Sequence, residues 1–277
     1  MSIITLTTDF GHKDYFVSAI KAALLQELPQ STIVDISHSI SPFNHTEAAY
    51  ILKNAYKNFP KGSIHIIGVD SELSPENKHL VMQFDGHYFI GANNGIFSLL
   101  LEEMRYDRLV EINIHDTVLT TFPVLEVFVK VAGHLSRKGA LEVIGRPFED
   151  LKILTGVKPV LHEAGHQLIG SVIYIDNFGN VVTNIKKQHF LSVQKTRPFT
   201  IFAQSVKFTQ VYETYAAAIN FDLPKNQREE DGKKIALWNA AGHLELSIYK
   251  SNPQTVGSAN SLFGLDFRTP IIIEFKH

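Results

Sequence analysis

Acidic residues stand where β-branched runs end, and they are the residues with the most evident chemistry. Asp70 closes the run Ile64-His65-Ile66-Ile67-Gly68-Val69, and Asp9 follows Ile3-Ile4-Thr5-Leu6-Thr7-Thr8. In an open α/β sheet, ligands gather beyond the carboxyl ends of the strands, where an emerging carboxylate can grip the two hydroxyls of a ribose. The competing role for Asp9 is to cap the helix that follows it. A further cluster, Asp176-Asn177-Phe178-Gly179-Asn180, has the composition of a hairpin turn, with Asn and Gly supplying positive φ. Phe178 is left over from that account. A phenyl ring at a turn tip is suited to stacking on a planar heterocycle, and equally to plugging the core beneath it.

His162-Glu163-Ala164-Gly165-His166 has the letters of a zinc-peptidase motif. That chemistry needs both histidines on one face of a helix, which Gly165 and Pro159 oppose. An exposed linker is the simpler reading, and no metal site is expected. His38 and His65 lie on or beside strands and read as hydrogen-bonded structural groups. Trp238, the single tryptophan, either lines a pocket or fills a core.

The elements that must position these residues fall into two textures. Residues 1–155 alternate short apolar strands with helical segments, the pattern of an α/β domain whose sheet is sandwiched by helices. Strands are predicted at 2–8, 32–36, 63–70, 79–84 and 87–92, and helices at 14–28, from the Asn44 cap to 59, and 123–136. Ser63–Asp70 is apolar throughout, as in a buried parallel strand, and Asp85-Gly86 marks a type I′ hairpin. Residues 156–166 read as a linker. Residues 167–277 carry β-rich runs at 167–176, 181–185, 199–202, 234–238, 243–249 and 270–275, with little helical periodicity, the pattern of an all-β barrel or sandwich domain.

Composition narrows the function classes. The 277 residues are 44% hydrophobic and 19% charged, ordinary for a soluble globular chain. A net charge of −2 without a basic run argues against nucleic acid as partner. No apolar run reaches the ~18 residues of a membrane span, and no signal-peptide pattern stands at the start. The chain has no cysteine, which excludes disulfides and thiolate chemistry and is compatible with a reducing compartment. A cytoplasmic small-molecule protein is the expectation.

Taken together, the motifs resemble the S-adenosylmethionine (SAM) hydroxide adenosyltransferases, the SAM hydrolases related to fluorinases and chlorinases. The resemblance rests on order and spacing: Thr7-Thr8-Asp9-Phe10-Gly11 with Asp14 and Lys21; Asp35-Ile36-Ser37-His38 with Ile40, Pro42 and Ala48-Ala49; Phe59-Pro60-Lys61-Gly62-Ser63-Ile64-His65; Gly91 with Asn94-Gly95; Thr121-Phe122; the 176–184 run; and Asn239 with Gly242, Leu244 and Glu245. It implies an N-terminal α/β/α domain joined to a C-terminal β-barrel, and a homotrimer with sites between one subunit's N-domain and its neighbour's C-domain. It also implies in-line attack of water on C5′ of SAM, releasing adenosine and L-methionine, with SAM as substrate or ligand and no resident cofactor. By match, Asp70 is the catalytic aspartate and Asp9 holds the ribose hydroxyls. Asp14 and Asp176 take the methionine ammonium, Phe178 stacks on adenine, Asn180 hydrogen-bonds it, Asn239 is a further substrate-binding residue, and the backbone near Ile248 to Lys250 closes the adenine edge. A sulfonium is a good leaving group, so the protein's task is to align a water and exclude others. A partly dehydrated carboxylate can orient that water and take its proton.

The chain departs from the family pattern at the water side. Asn77 stands at the position of an arginine, and Pro123-Val124-Leu125-Glu126 replaces His-Gly-Arg-Asp after Thr-Phe. Ala240-Ala241 replaces a serine segment, and Asn93 replaces an aspartate. Lys78 or His79 is the candidate for a compensating charge, although an ammonium does not reproduce a guanidinium fork. Glu126 is the polar survivor of its corner. Halogenases carry an aromatic residue at the Asp70 position and a long insertion after it, so a halogenase is not expected. The reading is therefore a SAM hydrolase. Its alternatives are a SAM- or adenosine-binding protein without turnover, and the zinc peptidase.

Overall fold

The computed structural model describes residues 2–114, 120–162 and 165–276. Two compact units divide the chain, Met1–Gly156 and Val157–His277.

The first unit is built around a sheet. Its elements run β1 (Ile3–Thr8), α1 (Phe16–Glu27), β2 (Thr32–Ser37), α2 (His45–Tyr56), β3 (Ile64–Gly68), β4 (His79–Phe84), β5 (His87–Ala92), α3 (Ile96–Leu101) and β6 (Arg108–Ile112), then α4 (Val129–Ser136), α5 (Leu141–Ile144) and β7 (Gly145–Pro147). Among the described residues seven strands pair in the order β2-β1-β3-β5-β4-β6-β7. β3 is parallel to both β1 and β5, as its continuous apolar sequence predicts. Its side chains alternate between two cores. Ile64 and Ile66 join Ile20, Leu24 and the α4 residues on one face; Ile67 and Val69 join Ala48, Leu52 and the α3 residues on the other. The Asp85-Gly86 turn has φ of 49° and 73°, the left-handed pair that a type I′ hairpin demands.

The helix predicted from Pro123 opens with a π-helical segment, Val124–Phe128, before α4. Helix α3 and strand β6 were not legible in the sequence: six apolar-rich residues do not distinguish a short helix from a strand by periodicity.

The second unit contains β8 (Val160–His162), β9 (Gln167–Ile175), β10 (Val181–Lys186), α6 (Lys187–Gln194), β11 (Phe199–Ala203), β12 (Val206–Phe208), β13 (Lys234–Trp238), β14 (His243–Ile248), α7 (Ala259–Phe263) and β15 (Pro270–Phe275). Antiparallel pairing follows the path β12-β11-β15-β9-β10-β14-β13, with β8 beside β9. Beyond β12, Tyr212 bridges to Leu237 of β13, so the sheet nearly closes as a barrel. The stretch read as a linker thus contains a strand. His162 is the last residue of β8, paired with Gln167, in extended rather than helical backbone; Glu163 and Ala164 lie outside the described residues. Helix α6 escaped the sequence pattern because only Phe190 of its eight residues is buried. Trp238 is in the barrel core, its ring 5.2 Å from that of Phe190.

Candidate functional site

In the first unit the catalytic candidate sits on a constrained backbone. Asp70 has φ of +45°, in the left-handed region that costs a non-glycine residue about 1–3 kcal/mol unless its surroundings hold it. Two amides do so. Asn77 Nδ2 donates to the Asp70 carbonyl at 3.1 Å and to the Glu72 carbonyl at 2.9 Å. Asn94 Nδ2 donates to the Val69 carbonyl at 2.9 Å and to the Asp70 carbonyl at 3.2 Å. Just upstream, Gly68 is packed closely: a Cβ there would lie 3.1 Å from both Thr8 Cγ2 and Val124 Cγ2. Asn77, at the arginine position of the family pattern, therefore pins the backbone of Asp70.

The Asp70 carboxylate is tied on one side. His45 Nε2 donates to Asp70 Oδ2 at 2.9 Å, and both side chains remain partly exposed, 24% and 33%. His45 begins helix α2, whose N-terminus is fixed by reciprocal capping. Asn44 Oδ1 accepts from the Glu47 N–H at 3.1 Å, while Glu47 Oε2 accepts from the Ser41 N–H and from Asn44 Nδ2, each at 3.1 Å. No sequence motif singles out His45. It shares a site with Asp70 only because the loop from β2 into α2 lies beside the end of β3.

That loop also holds Asp9, whose Oδ2 accepts from the Phe43 N–H at 3.0 Å. Burial pushes the Asp9 carboxyl above the usual carboxylate range; the backbone hydrogen bonds oppose this, and the nearby Asp70 charge adds to it. Helix α1 starts at Phe16 behind Tyr15 with no side-chain cap, so the capping role is not the one Asp9 fills. Behind it, Thr8 Oγ1 and His38 Nδ1 share a hydrogen bond of 2.8 Å, and His38 Nε2 lies 3.1 Å from Asp35 Oδ1. Asp35 in turn pairs with Lys21, which ties α1 to the ends of β1 and β2. Asp14 is exposed in the turn before α1.

Lys78 and His79, the candidates for the missing charge, have other partners. Lys78 Nζ is 3.9 Å from Glu111 Oε1 on β6. His79 is buried, Nε2 donating to the Ser71 carbonyl at 2.9 Å, its ring edge-on to Phe128. Glu126 is exposed in the π-helical segment. Where the family pattern has its histidine, the corner is apolar: Phe122 packs at 5.6 Å from Phe10 and 5.2 Å from Phe16, and Val124 is fully buried.

In the second unit, the Asp176–Asn180 turn is internally bonded. Asp176 Oδ1 accepts from the N–H groups of Phe178 and Asn180, both at 2.8 Å, and Oδ2 accepts from Asn180 Nδ2 at 2.9 Å. A carboxylate offers about four acceptor positions, so roughly one remains. Asn180 Nδ2 also reaches Tyr215 Oη at 3.3 Å, and Tyr215 donates in turn to Glu245, which accepts from Ser247 Oγ at 2.9 Å as well. Burial, then the Glu245 hydrogen bond, pushes the Tyr215 hydroxyl well above its ordinary value. Tyr215 was not singled out in the sequence, where it is one of nine tyrosines in no motif. Phe178 stands 63% exposed and does not plug its own core. Gly179 has φ of +71°, and a Cβ there would lie 2.3 Å from Ser258 Cβ.

The remaining candidates lie at the two ends of the β13–β14 hairpin. Asn239 Oδ1 accepts from the N–H groups of Ala241 and His243, closing the turn. Ile248 ends β14 and Lys250 follows it with φ of +50°. Because Val181 pairs with Leu246, the Asp176–Asn180 turn lies at the Ile248 end. Asn239 lies at the other end, beyond the six residues of β14, roughly 20 Å of strand. Among the described residues no three His, Asp or Glu side chains gather as a metal group, and no helix is long and apolar enough to cross a membrane.

A helix-covered sheet with carboxylates at its strand ends, followed by an antiparallel barrel with an acidic, aromatic-tipped turn, is a two-domain α/β-plus-barrel protein. The chain belongs to the SAM hydroxide adenosyltransferase family, matching the N-terminal domain over residues 4–145 and the C-terminal domain over 170–272. It is 29% identical over 279 residues to an (R)-S-adenosyl-L-methionine hydrolase of Methanocaldococcus jannaschii, covering 99% of this chain and 96% of the relative. A protein of the same name from Thermus thermophilus is 27% identical, with 98% and 99% covered, and a fluorinase of Nocardia brasiliensis is 25% identical, with 88% and 89% covered. The crystal structure of a conserved protein from Thermotoga maritima superposes with a TM-score of 0.81 at 25% identity, covering 99% of both chains.

Proposed function

We propose that this protein hydrolyses SAM to adenosine and L-methionine. The observation that carries the reading is Asp70 itself: a carboxylate at the end of a buried parallel strand, its backbone clamped by Asn77 and Asn94 and its Oδ2 held by His45. Oδ1 is then the oxygen available to a water. In the step, the water oxygen bonds to C5′ as the C5′–S bond breaks, and the bond pair goes to sulfur to give the neutral thioether of methionine. The proton of the attacking water goes to Asp70. A sulfonium leaves without acid assistance, so the loss of the family's arginine and histidine removes positioning rather than the leaving-group chemistry. Asp9 takes the ribose hydroxyls and Asp14 the methionine ammonium in this reading. Phe178 stacks on adenine beside Asn180 and the Ile248–Lys250 backbone, and Asp176 offers its remaining acceptor to the ammonium. The hydrolase names of the relatives that match nearly the whole chain support the substrate and the reaction.

A homotrimer with each pocket completed by a neighbouring protomer, and a cytoplasmic location, belong to the same reading, supported by the family pattern and the absence of cysteine. Light scattering on the purified protein tests the trimer.

The deciding experiment is a single-turnover incubation of the protein with SAM, with chromatography for adenosine and methionine, beside Asp70→Ala. Adenosine release that falls about 10²–10⁴-fold in the variant is the expected result, the usual contribution of a general base. SAM retained on the unaltered protein with no adenosine formed would replace the hydrolase with a binding protein.

A further inference from the structure

The catalytic corner has lost two polar positions of the family pattern and contains a histidine, His45, that stands outside the motifs carrying the resemblance. We propose that His45 is a positioning residue for the hydrolysis, holding Asp70 so that its second oxygen faces the attacking water; this rests on the reading of the site as a SAM hydrolase.

The argument is geometric. A carboxylate that is to orient a water must itself be fixed in rotation, because a freely turning one spreads its lone pairs over many directions. The Asn77 and Asn94 amides fix the main chain of Asp70 but leave χ1 and χ2 unset. The His45 Nε2 to Oδ2 hydrogen bond of 2.9 Å constrains the side chain. The imidazole is a firm anchor because α2 is doubly capped at Asn44 and Glu47 and buries Ala48, Ala49, Leu52 and Tyr56. The neighbouring groups cannot do the same. Asp9 is an acceptor of like charge, Lys78 turns to Glu111, and His79 is spent on the Ser71 carbonyl. The corner where the family's histidine would stand is filled by Phe10, Phe16 and Phe122.

The test compares the unaltered protein, His45→Ala, His45→Gln, Asp70→Ala and the Asp70→Ala/His45→Ala double variant by kcat and KM for adenosine release from SAM, with melting temperature as the folding control. A glutamine side-chain amide retains an N–H that can donate to Oδ2. The expected result is a kcat lowered about tenfold or more in His45→Ala with KM within about twofold, the signature of an interaction that acts on the reacting state. Most of that loss returns in His45→Gln, and Asp70→Ala/His45→Ala is no slower than Asp70→Ala alone, since residues acting as a unit are not additive. A kcat for His45→Ala equal to that of the unaltered protein overturns the proposal. So does a loss confined to KM, a folded His45→Gln as slow as His45→Ala, or a double variant whose losses multiply. If the unaltered protein releases no adenosine, the hydrolase reading falls and takes this role with it. An active protein indifferent to His45 removes the positioning role alone.

Discussion

The Asp70 corner and the Asp176–Asn180 turn each combine an aspartate with a left-handed backbone position, Asp70 itself in the one and Gly179 in the other, yet they use their hydrogen-bonding capacity in opposite ways. At Asp70 the constraints come from outside the segment: amides of Asn77 and Asn94 hold the main chain, and His45, from another element, holds one carboxylate oxygen. At Asp176 the constraints come from within: three N–H donors of residues 178 and 180 fill most of the carboxylate. A carboxylate held at one oxygen is free to do chemistry with the other. One enclosed by its own turn first builds the turn, and what that turn displays outward is Phe178.

The difference can be broken from several sides. The largest effect on stability is expected at Gly179, where a Cβ would collide with Ser258 and the backbone has φ of +71°. Gly179→Ala should cost about 2–3 kcal/mol in denaturant unfolding. Asp176→Ala should follow at about 2 kcal/mol, because it strips acceptors from the Phe178 and Asn180 N–H groups and from the buried Asn180 side chain. Asp70→Ala should lose turnover while melting within a few degrees of the unaltered protein. An Asp176→Ala variant that melts normally would erase the contrast.

Acid should act on the Asp70 side of the molecule. His65, in the strand that ends at Asp70, is fully buried, bonded to Thr5 Oγ1 at 2.7 Å and to His87 Nδ1 at 3.2 Å. Burial, with the neighbouring His87 adding to it, pushes its pKa down to about 3 from 6.5. Between those values the unfolded chain binds the proton and the folded one does not. This contribution to stability is therefore present above pH 6.5 and is lost as pH falls toward 3, with a slope of at most roughly 1.4 kcal/mol per pH unit. Denaturation midpoints between pH 4 and 7 should show a shallower slope in His65→Gln; an unchanged slope would place the acid sensitivity in another group.

The smallest stability effect belongs to Phe178. With its ring 63% exposed, Phe178→Ala should leave the melting temperature within about 1 °C, while weakening adenosine binding by about 1–3 kcal/mol if the ring stacks on a base. Calorimetric titration of adenosine separates the two readouts.

Much of the fold was legible because its signals are local. The apolar run 64–69 gave a buried parallel strand, Asn44 with Glu47 gave the start of α2, and Asp85-Gly86 gave a type I′ turn, each from residues adjacent in sequence. Strand β8 inside the presumed linker was missed because three exposed residues carry no alternation to read. The helix at Pro123 was found, but not its π-helical opening.

The site divides on the same line. Motif order places Asp9, Asp70 and the 176–180 run, because each is a strand end or a turn whose character is written in its neighbours. The partners of Asp70 are another matter. Forward along the chain from Asp70, Lys78 pairs with Glu111 and Glu126 is exposed; His45 stands twenty-five residues before Asp70 and belongs to no motif. Sequence alone determined the two textures, the strand ends and the carboxylates they carry, since backbone propensity and hydrophobic period act over a few residues. Only the tertiary structure decided which side chain meets Asp70: parallel pairing of β1, β2 and β3 aligns their carboxyl ends, and the loop into α2 brings His45 across a distance along the chain that no local interaction spans.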